Sequence, residues 1–386
     1  MDIYRFRSWS ELTIKEILYS EIFFASTDEC NDPCDGKSFH TFLPNRSNWL
    51  NIIQKHSSRG PYVLDNTHVD SILNILMRHC PVTFDDFIEK IPGILRNEFS
   101  SHPDSNLFNQ AIDHIVEYCN IYAPQTDYFA SFTIDKNEPL MWSHYSSQHE
   151  GLCLIFRIEQ NKFPQHPLLR KRHIKIDTRN GIAANMSHGI NDDFHFSEIS
   201  YNNSFEQLNA FYCFPHDVCE NPTAEELDQY RSGLTKQEYT KHSSWAYEKE
   251  YRISLPAPIS GLFGKRVSLS KQNRLFHYHP DWLVGVIFGA RMNHERKSRL
   301  KDMLLERDEM THSLSLPNRR LSSIAFFESK LSMLTKGIDI LPADILNNGK
   351  IYTNSDRDFD TLWADWNSQT VIEVSGNSGS KRKLLS

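Results

Sequence analysis

Residues alternate with period two over Ser244-Trp-Ala-Tyr-Glu-Lys-Glu-Tyr-Arg-Ile-Ser-Leu255, which predicts a strand. Trp245, Tyr247, Lys249, Tyr251 and Ile253 fall on one side, and Ala246, Glu248, Glu250, Arg252 and Ser254 on the other. The second side carries two carboxylates and a guanidinium, costly to bury unless they are paired, and Glu250 and Arg252 stand close enough to meet each other or a common ligand. The first side supplies aromatic framing that a purely solvated strand does not need.

Other apolar segments predict further strands at residues 3–7, 21–26, 128–133, 151–156, 197–201 and 283–289, and a further apolar segment stands at Ser323-Ile-Ala-Phe-Phe327. Gly151-Leu-Cys-Leu-Ile-Phe156 and Leu283-Val-Gly-Val-Ile-Phe-Gly289 are continuous apolar runs, as expected of strands buried on both faces. Ser8-Trp-Ser-Glu11 has the form of a capping box and predicts a helix through Ile17 and Leu18. From 45 to 122 the period becomes helical, most clearly at Leu107, Phe108, Ala111, Ile112, Ile115, Val116 and Cys119. Helices are also expected at Leu140-Met-Trp-Ser-His-Tyr145, as a stretch around 203–242, and from Arg291 to Arg307 with Leu300, Met303 and Leu304 inward. Turns are expected at Asn180-Gly181 and at Asn347-Asn-Gly349.

Short strands separated by unequal helical stretches, with no Gly-rich turn after the first strand, predict an α+β fold. Its central sheet should be mixed or mostly antiparallel, interrupted by a large helical insertion. The expected organisation is a single domain over 1–310 with the insertion at 45–122, a C-terminal extension at 311–375, and a disordered tail at 376–386, Ser/Gly-rich and then basic.

The chain has 386 residues, 39% hydrophobic and 24% charged, which excludes disorder as its main state. A formal charge of -7 gives no broad attraction to phosphate backbones, so nucleic-acid binding is left to a local groove. There is neither a signal-peptide pattern nor an 18-residue apolar run, so no membrane partner is expected and the expected location is cytoplasmic. Seven scattered cysteines form no repeated pair, so neither a disulfide framework nor a zinc ribbon is predicted. Cys30 and Cys34 have no companion ligands, and His56, His68, His79, His102 and His114 share no metal-binding spacing, so no metal is predicted.

Six segments stand in an order that resembles the bacterial family catalogued as domain of unknown function 2971. They are Tyr4-Arg-Phe-Arg7, Asn31-Asp-Pro33, Ser131-Phe132, Met141-Trp-Ser-His-Tyr145 with His149-Glu-Gly151, Trp245-Ala-Tyr-Glu-Lys-Glu-Tyr-Arg252 and Val286-Ile-Phe-Gly289. The resemblance spans about residues 3 to 290. Cys34 and Asp35 depart from it, standing where an aromatic is usual, as does Ser143, where a small apolar residue is common. The family name implies no activity.

A looser similarity is to the ADP-ribosyltransferase superfamily, which places an Arg or His, then a Ser or Tyr, then Glu-x-Glu or a lone Glu on successive strands. Arg5 or Arg7, Ser131 and Glu248-Lys-Glu250 stand in that order. This resemblance implies an enzyme that cleaves NAD as substrate and modifies an unknown macromolecular acceptor, in the setting of a bacterial toxin or phage-defence effector. The catalytic residues would be Glu250, Glu248 and Ser131, with Glu250 favoured because Arg252 would keep it ionised. Arg5, Arg7, Asn31, Asp32, Trp142, Tyr145, His149 and Arg252 would bind substrate. Independently of the resemblance, the polar and aromatic residues at the strand ends predict one pocket, lined by Arg5, Asn31, Asp32, Ser131, Trp142, Tyr145, His149, Glu248, Glu250 and Arg252. The residue types suit the chemistry: a carboxylate stabilises an oxocarbenium-like state, a cation anchors the pyrophosphate, and an aromatic stacks on nicotinamide.

Other classes remain open on the same residues. A metal-dependent hydrolase or nuclease would use Asp32, His144, His149 and Glu248. A binding module for a nucleotide or phosphate ligand would use Trp142, Tyr145 and Arg252. An interaction protein would use the helix from Arg291 to Arg307.

Overall fold

Ten strands form one sheet: β1 Asp2–Arg7, β2 Tyr128–Thr133, β3 Leu152–Arg157, β4 Lys162–Pro164, β5 Asp193–Glu198, β6 Glu250–Leu255, β7 Leu283–Phe288, β8 Ile324–Leu331, β9 Ile338–Asn347 and β10 Lys350–Thr353. A computed structural model describes residues 1–57, 64–175, 187–216, 218–219, 222–260, 266–313 and 323–368. The expected turn at Asn180-Gly181 and the tail at 376–386 lie outside these residues.

The spatial order is β10-β9-β8-β7-β3-β1-β2-β6-β5-β4. Only β7 and β8 pair parallel; the other neighbours are antiparallel. The fold is α+β, and the sheet is mixed but mostly antiparallel. The parallel pair needs a crossover, which the helix His294–Ser313 provides. The tight turn between β9 and β10 puts Asn348 and Gly349 at φ 48 and 71, the primed geometry that a two-residue hairpin selects.

The sheet is covered on both faces, which is why β3 and β7 read as unbroken apolar runs. On one face Ile3, Phe132, Leu154, Ile253 and Val286 pack with Ile17 of the helix Glu11–Leu18 and with Leu300, Met303 and Leu304 of the crossover helix. On the other face Tyr4, Phe6, Ile155 and Ile287 pack with Met141 and Trp142 of the helix Pro139–Tyr145 and with Phe359 and Trp366 of the helix Phe359–Ser368. The helices Arg46–Ser57, Asn66–His79, Phe84–Glu89, Ile91–Glu98 and Ser105–Ile121 build a separate core around Phe42, Trp49, Ile72, Phe87 and Ile112, which Phe211 joins from far along the chain.

Several elements differ from the sequence expectation. The first helix is capped by Ser10, whose side chain accepts from the Thr13 amide, not by Ser8. Of residues 21–26, only Glu21–Phe23 is a strand, and it pairs with Leu275–His277 outside the sheet, where Ile22 and Phe24 pack down onto it. Segment 197–201 divides: β5 ends at Glu198, and Ser200–Asn202 pairs parallel with Thr240–His242. Of the helical stretch expected around 203–242, the described residues form an α-helix only at Ala224–Glu238, with a 3-10 turn at Ala210–Cys213 and short strands at Leu208–Asn209 and Thr240–His242. The three strands β8, β9 and β10, within the stretch set apart as a C-terminal extension, belong to the same sheet.

Two glycines fix how the chain closes beside β1. A Cβ on Gly151 would lie 2.2 Å from the Arg7 carbonyl oxygen, and one on Gly289 would lie 2.2 Å from that of His149. The Gly289 amide donates to the Gly151 carbonyl at 2.9 Å, and the Arg291 amide to that of His149 at 2.9 Å. Backbone approaches this close leave no room for a side chain.

Candidate functional site

The alternating pattern of 244–255 holds only in its second half. Residues Ser243–Glu248 form a 3-10 turn, Lys249 takes a left-handed conformation at φ 41 and ψ 52, and β6 begins at Glu250. Tyr251 and Ile253 pack toward the Ile3 face, so Glu250 and Arg252 point to the opposite face, the side of Trp142. The reversal at Lys249 swings Glu248 back beside Glu250. Lys241, from the short strand Thr240–His242, receives both: its Nζ lies 2.7 Å from Glu248 Oε2 and 2.7 Å from Glu250 Oε2.

From there the network runs on. Arg252 donates from Nε to Glu250 Oε1 at 2.6 Å and from Nη2 to Asp35 Oδ1 at 2.6 Å, and Lys241 lies 3.1 Å from Asp35 Oδ2. All five charged side chains are buried. The Arg252 guanidinium stands 4.0 Å over the Phe129 ring, and the Lys241 ammonium 5.6 Å over Trp245. At the other end the Tyr145 hydroxyl donates to Glu248 Oε1, and the exposed Asn31 side chain lies close enough to the same hydroxyl to act on its charge.

Three carboxylates thus face two cations, an excess of one negative charge. The carboxylates divide the consequence unequally. Burial alone would raise Glu250, but Arg252 and Lys241 overturn this and hold it well below the ordinary carboxylate range. Glu248 is pushed up by burial and by Glu250, with Lys241 opposing. Burial and then Glu248 push the Tyr145 phenol up, so it keeps its proton and donates it. Glu250 is therefore the enclosed, ionised member, and Glu248, which accepts from Tyr145, is the carboxylate more easily protonated.

Among the other residues singled out from sequence, Ser131 stands directly opposite Arg252 in the β2–β6 register. Asp32 shapes the loop that delivers Asp35: its Oδ1 accepts from the Cys34 amide at 2.9 Å and its carbonyl from the Asp35 amide at 3.1 Å. Trp142 is on the Glu250 side of the sheet, edge-on to Phe6 with its indole bound to the Lys136 carbonyl at 2.8 Å. His149 lies parallel to Trp142 at 6.4 Å, and burial and Arg291 hold it below the usual histidine range.

Arg5 and Arg7 are not brought to this face. Their positions in β1 alternate with Tyr4 and Phe6, so they lie with Ile3, where both hold Glu16 at 2.7 and 2.6 Å. Arg5 also donates to the Ser131 carbonyl at 2.6 Å, and burial, then Arg7, lower it to about 10. The proposed pocket is therefore split by the sheet. Lys241 and Asp35 are the members of the network that sequence reasoning left out of the site. A lone Lys seven residues before Glu248 gives no pattern, although the Asn31-Asp-Pro33 turn pointed at the loop carrying Asp35.

Among the described residues no three His, Cys, Asp or Glu side chains converge as metal ligands, and no helix is long and apolar enough to cross a membrane. Residues 141–253 match the model of a protein family of unknown function, DUF2971. The DUF2971 segment starts at Met141 and ends one residue after Arg252, so it holds Trp142, Tyr145, Lys241, Glu248, Glu250 and Arg252. Asn31 and Asp35 reach the same network from outside it. Neither a curated protein nor a solved structure matches the chain.

Proposed function

We propose that the chain is an ADP-ribosyltransferase-like enzyme that cleaves the nicotinamide–ribose bond of NAD and passes ADP-ribose to a macromolecular acceptor, with Glu248 rather than Glu250 as the working carboxylate. The observation that carries this reading is the Tyr145–Glu248 pair at the end of a network whose charges do not balance. In bond cleavage the electron pair of the C–N bond leaves with nicotinamide, and positive charge develops on the ribose. A carboxylate held at the edge of a dry, fixed network stabilises that charge without having to reorganise. The same carboxyl, already raised toward neutrality, accepts the proton that the attacking acceptor group gives up.

Glu250 is less suited to this work because both its oxygens are held by cations, Arg252 and Lys241, whereas one oxygen of Glu248 is held by Lys241 and the other accepts from the neutral Tyr145 phenol. Arg5 and Arg7 act in this reading through the fold and not through the pyrophosphate. Consumption of NAD or marking of a target in a cell is what a toxin or phage-defence effector would do.

The test is nicotinamide release from NAD, with nucleic-acid and protein acceptors supplied. Glu248→Gln should abolish release while leaving the melting temperature close to that of the wild type, and Tyr145→Phe should slow it by about 10²-fold. Wild-type protein that releases no nicotinamide, or Glu248→Gln that releases it at the wild-type rate, refutes the assignment.

A further inference from the structure

A narrow cleft opens at the far end of the charged network from Tyr145, lined by Gly36, Asp127, Glu238, Tyr239, Arg252 and Ser254 among others. Arg252 is only 2% exposed, and its Nε and Nη2 are taken by Glu250 and Asp35. Its Nη1 has no hydrogen-bond partner among the described residues. That nitrogen lies 3.9 Å from where a side chain on Gly36 would begin, and Gly36, at φ 66, has none. Across the cleft, Glu238 ends the helix Ala224–Glu238 and is half-buried. Its carboxyl makes no hydrogen bond or ion pair with a described residue, and it is not within ion-pair distance of Arg252. The Tyr239 and Ser254 hydroxyls satisfy each other at 2.9 Å.

A guanidinium donor and a carboxyl acceptor thus face one narrow space without touching. Above pH 7, where Glu238 is ionised, an ammonium ion entering it would meet the charge of Arg252, and a carboxylate would meet Glu238 and Asp127. A neutral group with a carbonyl oxygen at one end and N–H at the other satisfies both walls with no charge opposed. We propose that this cleft binds the primary carboxamide end of a ligand, the carbonyl oxygen accepting from Arg252 Nη1 and the amide nitrogen donating to Glu238. The carboxamide comes from a flat ring such as that of nicotinamide or from a glutamine or asparagine side chain, which share this chemistry. The inference rests on the cleft alone and stands whether or not NAD is cleaved.

The test is calorimetric or NMR titration of the full chain at pH 8, where Glu238 is ionised, with benzamide, benzoate and benzylamine, which place the three head groups on one ring. Benzamide should bind about tenfold or more tighter than either charged analogue, and Glu238→Ala should weaken it by about tenfold with the melting temperature retained. Nicotinamide titrated against a glutamine-containing peptide then identifies the source, the tighter binder marking it. Benzylamine or benzoate binding as well as benzamide overturns the proposal. So does benzamide that fails to bind at millimolar concentration, which would leave water as the only bridge, or that binds Glu238→Ala unchanged. A failure to release nicotinamide from NAD affects none of these outcomes.

Discussion

Replacing Lys241 by Met tests whether the buried network holds the fold. Lys241 touches Glu248 and Glu250 at 2.7 Å and Asp35 at 3.1 Å, so its removal leaves three buried carboxylates with Arg252 alone. Arg252 pairs with Glu250 and Asp35, so Glu248 is left with no cation. Removing one partner from a buried ion pair costs about 3–5 kcal/mol. The loss is limited by the alternative of protonating the stranded carboxyls, about 3 kcal/mol for each at pH 7. That limit sets the pH dependence. Without Lys241 the folded-state carboxyl values rise above their unfolded ones, so stability is retained below the unfolded value and lost as pH climbs through the folded one. Urea unfolding should therefore show Lys241→Met losing about 3–5 kcal/mol at pH 7 and only about 1–2 kcal/mol at pH 5. Adding Glu248→Gln should recover part of the loss at pH 7, because it removes the carboxylate left without a cation. A defect below about 1 kcal/mol at pH 7, or one equal at both pH values, would show that these charges do not support one another.

Two further outcomes follow from particular residues. Burial and then Asp127 raise Glu238 to about 7, so the native state keeps a proton that the unfolded chain releases, and stability falls as pH rises from the unfolded value toward 7. The full effect is about 3 kcal/mol, which solvent on the open side of Glu238 reduces to about 1–2 kcal/mol. Glu238→Gln should stabilise the protein by that amount at pH 8 and change nothing at pH 4 in urea unfolding; equal effects at both would exclude titration of this group. Ser147, Gln148 and His149 have φ of 48, 53 and 71 in succession, a left-handed run with no glycine. Gln148→Gly should therefore raise stability by about 1 kcal/mol, read as a higher melting temperature, and a lower one would deny the strain.

The sheet was legible wherever burial wrote a pattern into the chain. β3 and β7 stood out as continuous apolar runs because both faces are covered, and the crossover helix showed its inner stripe at Leu300, Met303 and Leu304. β4 is three residues long, too short to carry a period, and β9 alternates around a partly exposed surface that hides its membership. The segment 21–26 looked like a sheet strand because Ile22 and Phe24 are buried, and the pattern cannot say whether burial comes from joining a sheet or from lying across it. The same ambiguity of side misplaced Arg5. Its order in the chain matched a cation ahead of Glu248, but order carries no information about which face a β1 residue occupies, and Glu16 had already claimed it. Glu248 was placed beside Glu250 by assuming a continuous strand; the left-handed Lys249 brings the two together by a different route.

That route matters for how the network divides its labour. A strand would have set Glu248 and Glu250 on one face in similar surroundings, with nothing to separate their charge states. The turn at Lys249 instead leaves Glu250 enclosed between Arg252 and Lys241 while Glu248 shares its second oxygen with a phenol that reaches the exposed Asn31. With one negative charge in excess, a proton is most easily accommodated where cations are fewest. Glu248 touches one cation, whereas Glu250 and Asp35 each touch two. The three members bound on both sides, Glu250, Asp35 and Arg252, are then poor probes of activity, since altering any of them strands a buried charge and removes the fold along with the chemistry. Glu248 and Tyr145 are the positions where the proton can be taken away by substitution while the clamp formed by the other residues stays closed.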